Sequence, residues 1–167
     1  MDLFDVIAKR ASVRAFVPVK VPEADLVKIA DAGRRAPSGG NRQPLNFIII
    51  QQAETLRALE KVQACFATAS AAVAIVADPA ASRWWLEDAA AAAENMLLAL
   101  TALGYSSVWV EGTLLKEEDH AKKVLGVPAP KRLIILLPIG KAPQETPQAD
   151  KKPLEEVLWR ERYGKKE

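Results

Sequence analysis

Arg10, Ser12 and Arg14 alternate with Ala11 and Val13 near the start of the chain, where a first helix gives way to extended backbone. In extended backbone, alternate side chains leave on the same side. Two guanidiniums and a hydroxyl turned to one side suit a phosphate, because each guanidinium forks onto two oxygens. A second set lies in "RRAPSGGNRQPLNFIII", Arg34 to Ile50. There Ser38, Asn41 and Gln43 offer a hydroxyl and two amides, groups that both donate and accept hydrogen bonds. Gly39 and Gly40, between Pro37 and Pro44, let the backbone come close to a planar object. Such a set reads the polar edge of a heteroaromatic ring. Taken together, a phosphate end and a ring-reading loop describe a mononucleotide-like cofactor. The plain alternatives are a solvated edge for the first set and an ornate helix-to-strand turn for the second.

Other candidates carry less chemistry. His120 is the single histidine and shares a charged helix face with Glu117, Glu118 and Asp119, so a solvated surface role is expected. Cys65 has no second cysteine to pair with and reads as a small buried apolar residue. Asp88 and Glu94 are six residues apart on one helix and therefore on different faces, which fits a cap or ion pairs to other helices better than a catalytic pair. Trp84 and Trp85 read as packing residues. The chain carries no Walker loop, no GxGxxG, no CxxC and no HExxH.

The elements that must position these residues follow from the apolar pattern. Asp2 to Arg10 reads as a short helix, and a second begins near Pro22 and closes at Pro37. Leu45 to Ile50 is a strand, Ala53 to Val62 helical, and Ala71 to Ala77 ("AAVAIVA") a strand buried on both faces. The longest helix runs from Arg83 to Leu103, with a stripe of Trp85, Ala89, Ala92, Met96, Ala99 and Leu103. Ser106 to Val110 is a third strand, Lys116 to Leu125 an amphipathic helix, and Leu133 to Leu137 a fourth strand. From Lys141 to Pro153 the chain is proline-rich and nearly without apolar residues, yet "LEEVLW", Leu154 to Trp159, is an amphipathic helical turn that needs a surface to cover.

The 167 residues suit one domain, and their 23 basic and 21 acidic side chains give a net charge of +2, too little for a nucleic-acid footprint. Asp2 and Asp5 interrupt a signal-peptide start, and Glu94 and Asn95 break the most apolar window before it reaches membrane-spanning length. A cytoplasmic protein that engages neither nucleic acid nor membrane is expected.

Four motifs in order, "RxSxR" at Arg10 to Arg14, "APSGGNRQP" at Ala36 to Pro44, Glu-Asn-Met-Leu-Leu-Ala from Glu94, and "LGYSSVWVEG" from Leu103, resemble the FMN-dependent nitroreductase family. The match spans nearly the whole chain. It implies an α+β fold, a mixed, largely antiparallel sheet flanked by helices, in an intertwined homodimer with FMN at the interface. Residues 1–140 would form a single FMN-binding domain, and residues 141–167 an arm docking on the partner subunit. By resemblance, Arg10, Ser12 and Arg14 would hold the FMN phosphate and ribityl chain. Pro37, Ser38, Gly39, Asn41 and Gln43 would come from the other subunit to the same flavin. Glu111 and Gly112 would place a backbone N–H near ring nitrogen N5, and Lys151 or Lys152 would add a phosphate contact. Ala11 stands where the family often has Arg or His, and Leu45 where Trp commonly follows Gln-Pro. The implied activity moves electrons from NADH or NADPH through the flavin to a small acceptor such as a nitroaromatic or quinone. The alternatives are a non-catalytic FMN-binding, storage or redox-sensing protein, or other flavin chemistry on the same fold, such as dehalogenation or flavin fragmentation.

Overall fold

A computed structural model describes residues 2–165. Four strands, β1 (Leu45–Ile50), β2 (Ala71–Ala77), β3 (Ser106–Ser107) and β4 (Arg132–Gly140), form one sheet in the order β1-β2-β4-β3. Every pairing between these strands is antiparallel. The mixed character comes from one parallel bridge, Ser12 to Ser107, made by extended chain outside the named strands. All of β2 is buried, because apolar layers cover both faces of the sheet.

One layer is made by α2 (Glu23–Arg34) and α4 (Trp85–Ala102), through Leu26, Ile29, Ala89, Ala92, Met96 and Leu100. The small residues bring the two helices close: a Cβ on Gly33 would lie 2.6 Å from the Met96 sulfur. The buried face of α4 is wider than the expected stripe, taking in Ala93, Leu97 and Leu100, whereas Leu103 is exposed. The opposite layer comes from α3 (Ala53–Ala58) and the turns after it, α5 (Gly112–Lys116) and α6 (Glu118–Leu125), around Phe66, Leu114, Leu133 and Leu136.

The third strand is shorter than Ser106 to Val110. Only Ser106 and Ser107 pair as a strand, and Val110 returns to β4 through a single bridge with Leu136. The side chains keep the alternation of extended backbone, Trp109 entering the α2–α4 layer and Val108 and Val110 the other, although Val108 and Trp109 pair with no strand among the described residues. The helix expected from Lys116 to Leu125 begins earlier, as two short pieces hinged at Glu117. His120 is half-buried, its Nε2 2.8 Å from the Ala58 carbonyl, so it ties α6 to the end of α3 and is not the solvated residue expected. Cys65 is buried as expected, and burial pushes its thiol up to about 11, away from reactive thiolate chemistry.

Beyond β4 the chain runs back along the body. Lys141 bridges Val17, and the Gln148 amide donates to the carbonyls of Ile7 (3.0 Å) and Arg10 (2.9 Å). Those carbonyls lie at the end of α1 (Leu3–Lys9), where the helix itself leaves acceptors unmatched. A last turn, α7 (Leu154–Val157), stands off with Leu154, Val157 and Leu158 exposed. Among the described residues no helix is long and apolar enough to cross a membrane.

Candidate functional site

The segment carrying Arg10, Ser12 and Arg14 is clamped along its length. The Val13 N–H donates to the Ser107 carbonyl at 2.9 Å, the Phe16 N–H to the Thr68 hydroxyl at 3.1 Å, and the Val19 N–H to the Ser70 hydroxyl at 3.0 Å. Burial alternates as extended chain requires: Val13 is inside, Ser12 and Arg14 outside. Ala11 and Val13 line a cavity of about 630 Å³ with Tyr105 and Gln148, and none of the three polar residues lines it. Arg10 is held furthest in, with its Nε 3.9 Å from Glu94 Oε1 on α4. Ser12 and Arg14 make no side-chain hydrogen bond or ion pair among the described residues. The neighbouring Ser107 hydroxyl is also without a partner among the described residues, but it is buried away from solvent.

The second set is built on a loop of unusual backbone. After the extended Ser38, Gly39–Asn41 make one tight turn, and Gly40, Asn41 and Gln43 lie at φ of 58, 54 and 49°. Glycine takes this left-handed region freely and asparagine readily, whereas for glutamine it costs roughly 1–2 kcal/mol. Two bonds hold the strain. The Ser38 hydroxyl accepts the Gln43 N–H at 3.0 Å, and Asp88 Oδ1 accepts the Gly39 N–H at 2.8 Å. Asp88 is buried in the first turn of α4, and its other oxygen accepts the Ser82 hydroxyl at 3.2 Å. Gly39 also lies flat on Trp84, where a Cβ would come within 2.5 Å of the indole. The Asn41 and Gln43 side chains are left exposed on the loop's outer side. A cleft of about 220 Å³ runs beside the loop, lined by Pro37, Ser38, Gln43 and Phe47 among others.

Asp88 and Trp84 are the loop's foundation, whereas the local sequence points Asp88 only to a cap or to ion pairs with other helices. No spacing rule joins Asp88 to Gly39 across 49 positions. The acidic first turn of α4 was the available signal.

Glu111 and Gly112 follow the Ser107 bridge and open α5, so the Gly112 N–H belongs to a helical first turn. The Glu111 carboxylate turns back along the chain, accepting the Trp109 indole N–H at 2.8 Å. The parallel bridge therefore brings Arg10–Arg14 beside the chain leading to Glu111 and Gly112. The structure does not bring the Pro37–Gln43 loop to them. The loop meets α4 at buried Asp88, and Arg10 meets it at exposed Glu94, roughly 9 Å along the axis and on another face. Lys151 and Lys152 lie exposed just before α7.

The model of the nitroreductase family matches residues 7–76 and 62–141, which hold the clamped segment, the loop, α4 and the Glu111–Gly112 turn. The chain belongs to the nitroreductase family. An Archaeoglobus fulgidus protein provisionally named NADH dehydrogenase/NAD(P)H nitroreductase is 35% identical over 136 residues, covering 76% of this chain and 78% of that protein. A provisionally named nitroreductase of Desulfovibrio desulfuricans, crystallised with FMN, superposes with a TM-score of 0.84 at 26% identity, covering 98% of each chain. An FMN-dependent nitroreductase of Clostridium difficile R20291 gives a TM-score of 0.80 at 25% identity, over 88% of this chain and 91% of that one.

The residues present fit the FMN that a nitroreductase implies. Ser12, Arg14 and the Asn41 amide are presented without an internal side-chain partner among the described residues. Their chemistry is that of a phosphate and a heteroaromatic edge: positive forks and a hydroxyl in one place, amides beside glycine backbone in the other.

Proposed function

We propose that this chain is an FMN-dependent oxidoreductase, passing electrons from NADH or NADPH to a small acceptor such as a nitroaromatic or quinone. The observation that carries the reading is the clamped segment that offers Arg10, Ser12 and Arg14 as phosphate ligands, with Ser12 and Arg14 unspent on any internal side-chain contact among the described residues. When bound, FMN would supply the redox chemistry, taking a hydride from the nicotinamide donor and later releasing electrons to the acceptor.

The chain's own part is to hold and orient. Arg10, Ser12 and Arg14 would bind phosphate and ribityl chain. The Gly112 N–H, set by Glu111 at the start of α5, would face the ring. Pro37, Ser38, Gly39, Asn41 and Gln43 would read the ring edge, and Lys151 or Lys152 would reach the phosphate. Because loop and segment meet α4 on different faces, one flavin touched by both would take them from two copies of the chain. The proposed enzyme is therefore a homodimer, residues 1–140 its FMN-binding domain and 141–167 its arm on the partner. The exposed Leu154, Val157 and Leu158 support that docking. No side-chain acid or base is needed, since placing a hydride donor against the acceptor ring supplies much of the rate.

Purified protein should be yellow, release FMN on heating, and consume NAD(P)H when menadione is added. Release of FAD, or no flavin uptake from excess FMN, overturns the cofactor. A yellow protein inert with every donor and acceptor overturns the enzymatic reading.

A further inference from the structure

We propose that Arg42 and Arg83, gathered around the Trp84 indole, form a site for the adenosine 2′-phosphate of NADPH, so that this chain prefers NADPH to NADH. The inference rests on the FMN reading for where the nicotinamide sits, and goes beyond it in naming the donor.

Arg83 Cζ lies 4.2 Å from the Trp84 ring centroid, and Arg42 Cζ lies 5.9 Å from it. Both arginines are exposed, and neither guanidinium makes a hydrogen bond or ion pair among the described residues. The contrast with Arg34 and Arg35 is direct, because those two share the Asp31 carboxylate. Among the described residues, the one acidic side chain bonded to this loop, Asp88, is engaged by the Gly39 N–H and the Ser82 hydroxyl.

A guanidinium lying over an indole keeps its N–H edges free while losing side-chain freedom, so less ordering remains to be done on binding. Trp84 is itself anchored by the backbone of Gly39 packed against it. Two such forks on one indole match a phosphate monoester, which has three acceptor oxygens and nearly two charges. The position matches as well. Arg42 stands between Asn41 and Gln43, the residues proposed to meet the ring, and Arg83 directly precedes Trp84, the N-cap of α4. A dinucleotide whose nicotinamide covers the ring carries its adenosine end outward. NADH lacks only the 2′-phosphate, so the two donors read this site against a common background.

FMN-loaded protein with saturating menadione should show kcat/KM for NADPH at least about tenfold above that for NADH, the range of one charge-assisted contact or more. Arg83→Ala should lower the NADPH-to-NADH ratio about tenfold, and Arg83→Lys by less, since an ammonium keeps the charge but not the fork. Flavin content and circular dichroism of each variant report folding. A ratio in Arg83→Ala equal to that of the unaltered chain overturns the proposal, as does an unaltered chain with no preference for NADPH. Calorimetric titration with adenosine 2′-monophosphate against adenosine needs no turnover. Tighter binding of the phosphate, lost in Arg83→Ala, is expected, and equal binding of both probes overturns the site. If the chain takes up no FMN, the cofactor reading fails while this titration still decides the phosphate site.

Discussion

Asn41 stands at φ 54°, so most substitutions there strain the backbone as well as change the side chain. Replacing it with alanine would mix the loss of an amide with left-handed strain. Asn41→Gly keeps the conformation and removes only the amide. If that amide reads the ring, where electron density changes on reduction, Asn41→Gly should shift the flavin's reduction potential or the anaerobic hydride-transfer rate at saturating FMN. Arg14→Ala belongs to the other set. Losing one charge-assisted bond to phosphate costs roughly 1.5–3 kcal/mol, or about ten- to a hundredfold in FMN affinity. Turnover of the loaded fraction should then change little. Titration of FMN by fluorescence quenching and photoreduction against a reference dye separate the two. Unchanged affinity in Arg14→Ala, or unchanged potential and rate in Asn41→Gly, removes the corresponding assignment.

The loop is only as well placed as the helix beneath it. Asp88→Ala leaves the Gly39 N–H and the Ser82 hydroxyl without their acceptor, each in a part-buried or buried setting. An orphaned group of this kind costs roughly 1–3 kcal/mol, a fall in Tm of about 3–10 °C for a domain of this size. FMN retention should fall with it, while Asp88→Asn, which can still accept from Gly39, should recover part of both. Thermal melts with and without FMN measure this. A second tie joins elements rather than a loop. Glu118, at the start of α6, accepts from Arg132 Nε at 2.9 and 3.0 Å and from the Leu133 N–H at 3.0 Å. Burial raises the Glu118 carboxyl, but the bonds and charge of Arg132 and the Leu133 N–H outweigh it and hold it below its ordinary 4.5. A depressed folded value means the unfolded chain binds the proton more readily. The stabilisation is therefore whole above about pH 4.5 and lost as pH falls through the lower folded value. Glu118→Gln should lower stability above pH 5 and flatten its acid dependence, as read from urea midpoints across pH 3–7. A pH profile parallel to that of the unaltered chain would show the tie to be idle.

The arm plays two parts at the scale of the molecule. Its first stretch serves its own chain, with Gln148 closing the end of α1. Its last stretch shows an apolar side to solvent. Two truncations separate these. A chain ending at Gly140 loses both the Gln148 cap and α7, and should lose stability, dimer and FMN together. A chain ending at Ala149 keeps the cap and should melt close to the full chain, yet dissociate and release FMN more readily. Sedimentation and flavin content after gel filtration test it. A chain ending at Ala149 that stays dimeric and fully loaded would remove the arm's grip on the partner from the proposal.

Strands β1, β2 and β4 and helices α2 and α4 were legible in the sequence because each satisfies a local rule: a run of β-branched residues, a fully apolar stretch, a repeat at helical period. The polar segment at Arg10 and the loop at Ser38 were legible for the same reason, as residue types set close together. What the local pattern missed has partners far along the chain. Ser106 to Val110 reads as a strand, but only Ser106 and Ser107 find strand partners on β4, and Val110 returns to it through a single bridge with Leu136. His120 reads as solvated until α3 folds against α6 and offers the Ala58 carbonyl. Asp88 reads as a helix-start acid until the loop arrives to use it. Side-chain chemistry and backbone period are properties of neighbouring residues and can be read from their order. Which carbonyl, amide or indole lies opposite is set by packing between elements dozens of residues apart, and only the tertiary structure decided it.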